Sequence, residues 1–232
     1  MCGRIRQARQ PAEYFESIFT DMSKVFNLEP GLRFNVPPGT TPMVIHELAS
    51  TRLVERQFWG YAPAWYKYSP VSNARLDKIL DNSPFWRIPM THRMIVPADG
   101  WFEWTGTKGN KQPWYIRPAD HSPILMAAIS GWQDDEAPGK HTGFAIVTDD
   151  AAGGMVDIHD RRPVVLTPEH AREWLDPDTS LEQAKQLLSL ARPEAAFEWY
   201  EVTRKVGNSR YQEDDSADPV TMDASSGNLK FE

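Results

Sequence analysis

Apolar positions follow two periods along this chain, and their alternation predicts most of its elements. In Pro11–Phe26 (PAEYFESIFTDMSKVF), Tyr14, Phe15, Ile18, Phe19 and Met22 recur at helical spacing behind a proline suited to a first turn. The following FNVPPGTTP, with its proline pair and glycine, predicts a loop. Met43–Leu48 and Leu53–Trp59 predict a hairpin, and Leu76–Met90 a partly helical stretch interrupted at Pro84. Short β-prone runs then succeed one another between turn residues: Arg93–Ala98, Trp101–Thr105, Pro113–Arg117, Ile124–Trp132 and Phe144–Thr148. Pro168–Leu175 and Leu181–Leu190 return to an amphipathic helical period, and Phe197–Thr203 predicts a last strand. Strands fill the middle and helices the periphery, without βαβ alternation. The predicted class is therefore α+β, a single domain over residues 1–211 with a mostly antiparallel β core and peripheral helices.

Charge refines the domain limits. The net charge is −7, but Gln212–Glu232 alone holds six acids and one base, so residues 1–211 are close to neutral. The 212–232 segment is expected to be an acidic, disordered tail. A near-neutral domain excludes bulk electrostatic binding of nucleic acid while allowing a local basic groove. The single cysteine excludes an internal disulfide, and the start MCGRIRQARQ lacks the apolar stretch of a signal peptide. With no apolar run of membrane-spanning length, the expectation is a cytoplasmic monomer that engages no membrane. The histidines are scattered without HExxH or cysteine clusters, so no metal or other cofactor is expected. Nine Trp in 232 residues suggest an aromatic-rich core or a stacking surface.

Cys2 carries the most specific chemistry. Removal of Met1 leaves an N-terminal 1,2-aminothiol, whose amine adds to an aldehyde and whose thiol then closes a five-membered thiazolidine. An internal cysteine lacks the free amine. The thiolate is the reactive form, and a cation such as Arg4 is expected to increase its population. Other polar candidates are spread along the chain: Asn35 in RFNVPPGT, Asn73 and Arg75 in SNAR, Glu103 in DGWFEW, and His159 in VDIHDRRP. Each has a plain structural explanation: a turn, a helix cap, a solvent-facing strand residue, a surface loop. Strand alternation puts Glu103 on the face of Trp101, opposite Phe102 and Trp104. A carboxyl among aromatics has a raised pKa, as a general acid/base requires.

In order, the segments MCGR, FNVPPGT, FWGYAPAW, SNAR, ADGWFEW, FAIVT, VDIHDRRPVVL and VGN resemble the SRAP (SOS-response-associated peptidase) family, whose members cross-link to abasic DNA. The resemblance runs from Cys2 to about Asn208. It implies that Cys2 forms the thiazolidine, Asn73 positions the cysteine backbone and the opened sugar, Glu103 is the catalytic carboxylate, and His159 assists ring opening and proton transfer. Thr148 would lie beside that site, Arg4, Arg75 and Arg161 would hold flanking phosphates, and Pro38 and Trp65 would lie against bases around the lesion. A further family arginine falls at Ser83 here, with Arg87 nearby as a substitute. The implied partner is single-stranded DNA containing abasic sites, and the implied activities include abasic-lyase chemistry and processing of the chain's own N-terminus. Two rival classes compete. A cysteine peptidase would use Cys2 as nucleophile with His159 and would tolerate a blocked amine. A plain single-strand binding module would need no Cys2.

Overall fold

A computed structural model describes residues 2–21, 25–26, 31–48, 51–132, 137 and 139–220 of the chain. In chain order, the first strands are β1 (Ile5–Gln7), β2 (Val25–Phe26), β3 (Arg33–Val36), β4 (Met43–Leu48), β5 (Thr51–Arg56) and β6 (Asn73–Arg75). Next come β7 (Arg93–Ala98), β8 (Gly100–Thr107), β9 (Asn110–Pro118), β10 (Ile124–Ser130) and β11 (Phe144–Asp150). The last are β12 (Arg161–Pro163), β13 (Val165–Leu166) and β14 (Phe197–Glu201). Four α-helices accompany them among the described residues: α1 (Pro11–Glu16), α2 (Leu76–Leu80), α3 (Pro168–Leu175) and α4 (Leu181–Leu188).

The strands form two sheets. One is antiparallel throughout, in the order β14-β9-β8-β1-β3. The other follows β12-β11-β10-β7-β4-β5-β2, with β13 joined to β10 and β6 joined in parallel to β11. Period-2 patterning explains how they stack. Met94, Val96 and Ala98 of β7 share an inner core with Ile5, Val36, Trp101 and Ile116 of the opposing sheet. The alternate Ile95, with Leu125, Ala127 and Val147, faces the helices through Tyr14, Leu76, Trp174 and Leu187. On the outer face of the five-stranded sheet, Phe102 and Tyr115 are covered by Val202 and Val206. The mixed, mainly antiparallel α+β class is as the apolar pattern predicts.

Several boundaries differ, each for a local reason. The 11–26 helix stops at Glu16, where Ser17 Oγ donates to the Tyr14 carbonyl at 2.6 Å and competes with helical pairing. Ile18 and Phe19 are still buried on the predicted face; Met22 lies outside the described residues. Val25–Phe26 forms a strand parallel to β5 instead of a last helical turn. Arg33–Val36, which takes in the first three residues of the expected loop, pairs with β1. Residues 212–220, assigned by charge to a disordered tail, are folded onto the domain. Gln212 Nε2 donates to the Asn35 carbonyl at 2.8 Å, Ser216 is fully buried, and Pro219 bridges to Val202. Residues 221–232 lie outside the described residues.

One side chain fastens the two sheets near the N-terminal strand. Gln7 of β1 is buried, and its Nε2 donates to the Met43 and Pro97 carbonyls at 2.9 and 2.8 Å. Its Oε1 accepts from the Met43 N–H at 3.0 Å. A Gln7→Leu variant fills the space but strands three buried backbone groups, each costing about 1–3 kcal/mol. Chemical denaturation is expected to show a loss of roughly 3 kcal/mol or more, with an unchanged m-value.

Candidate active site

The N-terminal strand sets the site. Ile5 pairs with Trp101 and Arg6 with Gly100, and the Phe102 N–H donates to the Arg4 carbonyl at 2.9 Å. Carried two residues further, that register puts Glu103 beside Gly3. Cys2 turns into the core between the sheets and is fully buried. From the opposite sheet comes Asn73, on β6 and in register with Ile146 of β11. Its Nδ2 donates to the Cys2 carbonyl at 3.0 Å and to Ser72 Oγ at 3.1 Å. Its buried Oδ1 accepts no hydrogen bond from the described residues, so an acceptor beside the Cys2 backbone stays open to a ligand. Asn73 is a strand residue here, and the N-cap of α2 is Arg75.

Burial governs the electrostatics. Glu103 is 3% exposed, and desolvation pushes its carboxyl up to about 7, against an opposing pull from the positive amino terminus. The Trp101 face is the interior one, shared with Cys2, whereas Phe102 and Trp104 belong to the outer cluster, as strand alternation predicts. The Cys2 thiol is driven upward, first by burial and then by the Glu103 charge. Arg4 therefore does not make it a resting thiolate. Its backbone N–H favours the thiolate only weakly, and its guanidinium is engaged elsewhere, donating to Asn35 Oδ1 at 2.7 Å and the Val206 carbonyl at 2.9 Å. Desolvation outweighs the cation.

His159 follows a 3₁₀ turn at Gly153–Asp157 and is held below its ordinary pKa, first by burial and then by the amino terminus. Its Nδ1 has two partners: the Arg161 N–H at 3.0 Å and Asp160 Oδ1 at 2.7 Å. One nitrogen cannot accept from the first and donate to the second at once. The neutral ring with its proton on Nε2 accepts from Arg161, and the protonated ring donates to Asp160. Both states have a partner waiting, which suits proton transfer. Glu103 acts on the Cys2 thiol, and Asp160, the partner of His159, acts on Glu103, so these groups converge on Cys2.

The remaining sequence-predicted residues divide by exposure. Asn35 is fully buried and, besides accepting from Arg4, donates from Nδ2 to the Val206 and Asn208 carbonyls at 3.1 and 3.0 Å. It ties the VGN segment to β3 and is no turn residue. Arg161 is buried, with Nη1 on Asp150 at 2.7 Å and Nη2 on the Thr148 carbonyl at 2.7 Å; Thr148 itself has no exposed surface. In this arrangement Arg161 clasps β11 to β12. Arg75 lies at the rim, exposed, in a two-point pair with Asp77 at 2.9 Å. Pro38 is half-buried in the turn after β3, Ser83 is half-buried, and Trp65 and Arg87 are exposed. Sequence reasoning passed over Gln7 and gave Asp160 no role. Nothing marks Gln7 in IRQ, whereas Asp160 beside His159 is a visible signal.

A two-sheet domain with the cysteine at position 2 buried beside an inward carboxyl defines a class. The family model described as SOS response associated peptidase (SRAP) matches residues 1–209, and the chain belongs to that family. It is similar to the abasic site processing protein YedK of Escherichia coli (strain K12), 40% identical over 95% of this chain and 100% of that one. It is also similar to the abasic site processing protein HMCES of Mus musculus, 28% identical over 75% of this chain and 61% of that one. Among solved structures, a phage-related protein from Bordetella bronchiseptica matches with a TM-score of 0.80 and 43% identity, covering 91% of this chain and 99% of that one.

The raised Glu103 carboxyl has a consequence for stability. Unfolded, it titrates near 4.5; folded, near 7. Between those values the folded state keeps a proton that the unfolded chain has lost, so stability falls as pH rises, with the loss complete above about 7. Its size is on the order of 3 kcal/mol. Glu103→Gln removes the charge at nearly constant shape. Its melting temperature is expected to exceed that of the wild type by several degrees at pH 8, with the gap closing near pH 5, as read by calorimetry across that range.

Proposed function

We propose that this protein processes abasic sites in single-stranded DNA by bonding to them covalently through Cys2, after loss of Met1 exposes its amine. What carries the reading is Cys2 buried within reach of Glu103, a carboxyl poised near 7, with the Cys2 carbonyl fastened by Asn73. The relatives named as abasic site processing proteins support it. The abasic sugar is mostly a closed hemiacetal. His159 and Glu103 share the proton transfer that opens it to the C1′ aldehyde. The Cys2 amine attacks C1′ and water leaves, giving an imine. The thiol sulfur then adds to the same carbon while its proton passes to nitrogen, closing the thiazolidine. Until closure, the imine is also the species from which β-elimination would cut the strand, so ring closure shields the DNA and its failure exposes lyase activity. The chemistry uses no cofactor, and the protein acts as a cytoplasmic monomer.

A peptidase reading requires a thiolate stabilised by its surroundings, as cysteine proteases arrange. Here burial drives the thiol the other way. Addition to an imine tolerates a neutral thiol, because Glu103 is available to relay its proton to the nitrogen.

The test is a denaturing gel of protein with single-stranded DNA bearing one abasic site, alongside intact mass of the protein. A heat-stable shifted band is expected only with a Met1-free Cys2, and N-terminal acetylation is expected to abolish it. Cys2→Ala should lose the stable band while strand scission persists. Glu103→Gln is expected to slow adduct formation by about 10²-fold, within the range for a lost general acid/base. A stable adduct from the acetylated protein or from Cys2→Ala would overturn the scheme.

A further inference from the structure

The outer face of the five-stranded sheet, turned away from Cys2, holds a polar cavity that the chemistry above leaves unused. Its volume is about 260 Å³, and Arg6, Arg9, Asp99, Tyr115, Arg117 and His121 line it. Strand alternation brings the donors together. Ile5, Trp101 and Ile116 face the inner core, so Arg6, Tyr115 and Arg117 face outward. Tyr115 is 2% exposed, yet its hydroxyl makes no hydrogen bond among the described residues. The charges acting on that hydroxyl include Asp99, Arg6 and Arg117, so it looks into the cavity. A Cβ at Gly100 would stand 2.6 Å from the hydroxyl oxygen, so the glycine is what leaves room for the phenol head. Arg6 Nε is likewise buried without a partner. Two buried donors left unsatisfied at one place call for an acceptor.

The protein's own acceptors at the cavity are already engaged. Asp99 takes the Ala8 N–H and Arg9 Nε, each at 2.7 Å, and Arg6 Nη1 at 3.5 Å. Arg117 gives Nε to Glu198 at 2.7 Å, and its two Nη groups make no hydrogen bond among the described residues. Both guanidiniums are oriented by aromatic rings, Arg6 over Phe34 at 5.1 Å and Arg117 over Tyr200 at 5.5 Å. A stacked guanidinium loses little freedom when it binds. From the solvent side, Arg6 Nη2 pairs with Asp214, an exposed carboxylate of the 212–220 segment. This guanidinium therefore already accepts an oxyanion at its outer edge. Asp99, Asp214 and Glu198 balance the three arginines, so the site selects by donor geometry and not by net charge. Donors converging from three side chains suit a ligand with several acceptor oxygens and no donor to waste, and a phosphate group is that ligand.

We propose that this cavity binds a small phosphate anion, held by the Tyr115 hydroxyl, Arg6 Nε and the Nη groups of Arg117. The occupant ties β1 to β9 on the side of the sheet opposite Cys2. The inference stands apart from the abasic-DNA reading, since none of its residues belongs to that site.

The probe is inorganic phosphate, titrated into the full chain at constant ionic strength against chloride, with calorimetry reading Kd and melting temperature. Phosphate is expected to raise the melting temperature by about 4 °C at roughly ten times Kd. In chloride alone, Tyr115→Phe is expected to melt with the wild type, because the hydroxyl it lacks has no partner to lose. With phosphate, Tyr115→Phe and Arg117→Gln should each weaken binding by about tenfold, the loss of a hydrogen bond to a charged group. Asp214→Asn frees Arg6 Nη2 and is expected to tighten phosphate by about threefold. Glycerol 3-phosphate separates the two sources of the group: tighter binding than phosphate assigns the site to a phosphate monoester, and weaker binding to the free ion. An equal shift from acetate, a Kd unchanged in both Tyr115→Phe and Arg117→Gln, or a loss of several degrees by Tyr115→Phe in chloride would overturn the site. None of these readouts uses DNA, so failure here and failure of the Cys2 chemistry are distinguishable.

Discussion

Everything about the site depends on where the chain begins. β1 is only three residues long, yet it lies inside the five-stranded sheet, paired with β8 on one side and β3 on the other. A terminal strand at a sheet edge would fray and carry its first residues with it. Double pairing, with Gln7 gripping backbone groups of the other sheet, removes that freedom from Ile5 onward, three residues after Cys2. The remaining slack at Cys2 is taken up by Asn73. Cys2 is thereby held as firmly as a residue in mid-chain, which the proposed covalent chemistry by its amine demands.

Holding the terminus this way buries groups that prefer water. Glu103 and the Cys2 thiol are both pushed toward their neutral forms, and His159 toward its neutral ring. Such a site is destabilising when ionised, and the fold offsets it with packing that does not touch the chemistry. The intersheet core around Trp101, Ile116 and Phe144 and the helix-side core around Trp174 and Tyr14 are both extensive. The same desolvation brings the carboxyl near neutrality, where it can both give and take a proton. Arg161 and Asn35 belong to the supporting frame. Their polar atoms hold Thr148, Asp150, Arg4 and the 206–208 segment in place.

Legibility from sequence followed the reach of each interaction. Arg93–Ala98, Met43–Leu48 and Pro168–Leu175 are bounded in the fold as their periodicity predicts, because each obeys one period between clear stops. β1, β3 and β6 were invisible: three or four residues carry no period, and they exist only through partners distant in the chain. The segment after Gln212 misled for a related reason. Its charge density reads as solvated tail, but Gln212 and Ser216 use long-range contacts to the 34–35 backbone that no local composition reveals. At the site, the residue types were legible while their states were not. Arg161 looks like a phosphate ligand in DRRP and is a buried clasp, and Arg4 looks like a thiol activator and is spent on Asn35.

That distinction bears on how affinity is generated. With Arg4 and Arg161 committed internally and Arg75 paired to Asp77, the cations nearest the Cys2 site are largely engaged within the fold. Acids such as Asp150 and Asp160 crowd the same face, close enough to Arg75 to act on its charge. A surface of this kind gains little from the polyelectrolyte effect and would hold undamaged strands weakly. For the proposed function weak grip is an advantage, since such a protein passes over intact DNA and stops at a rare aldehyde. In the proposed chemistry, selectivity comes from bond formation, because only an aldehyde closes a thiazolidine with Cys2, and persistence comes from the closed ring.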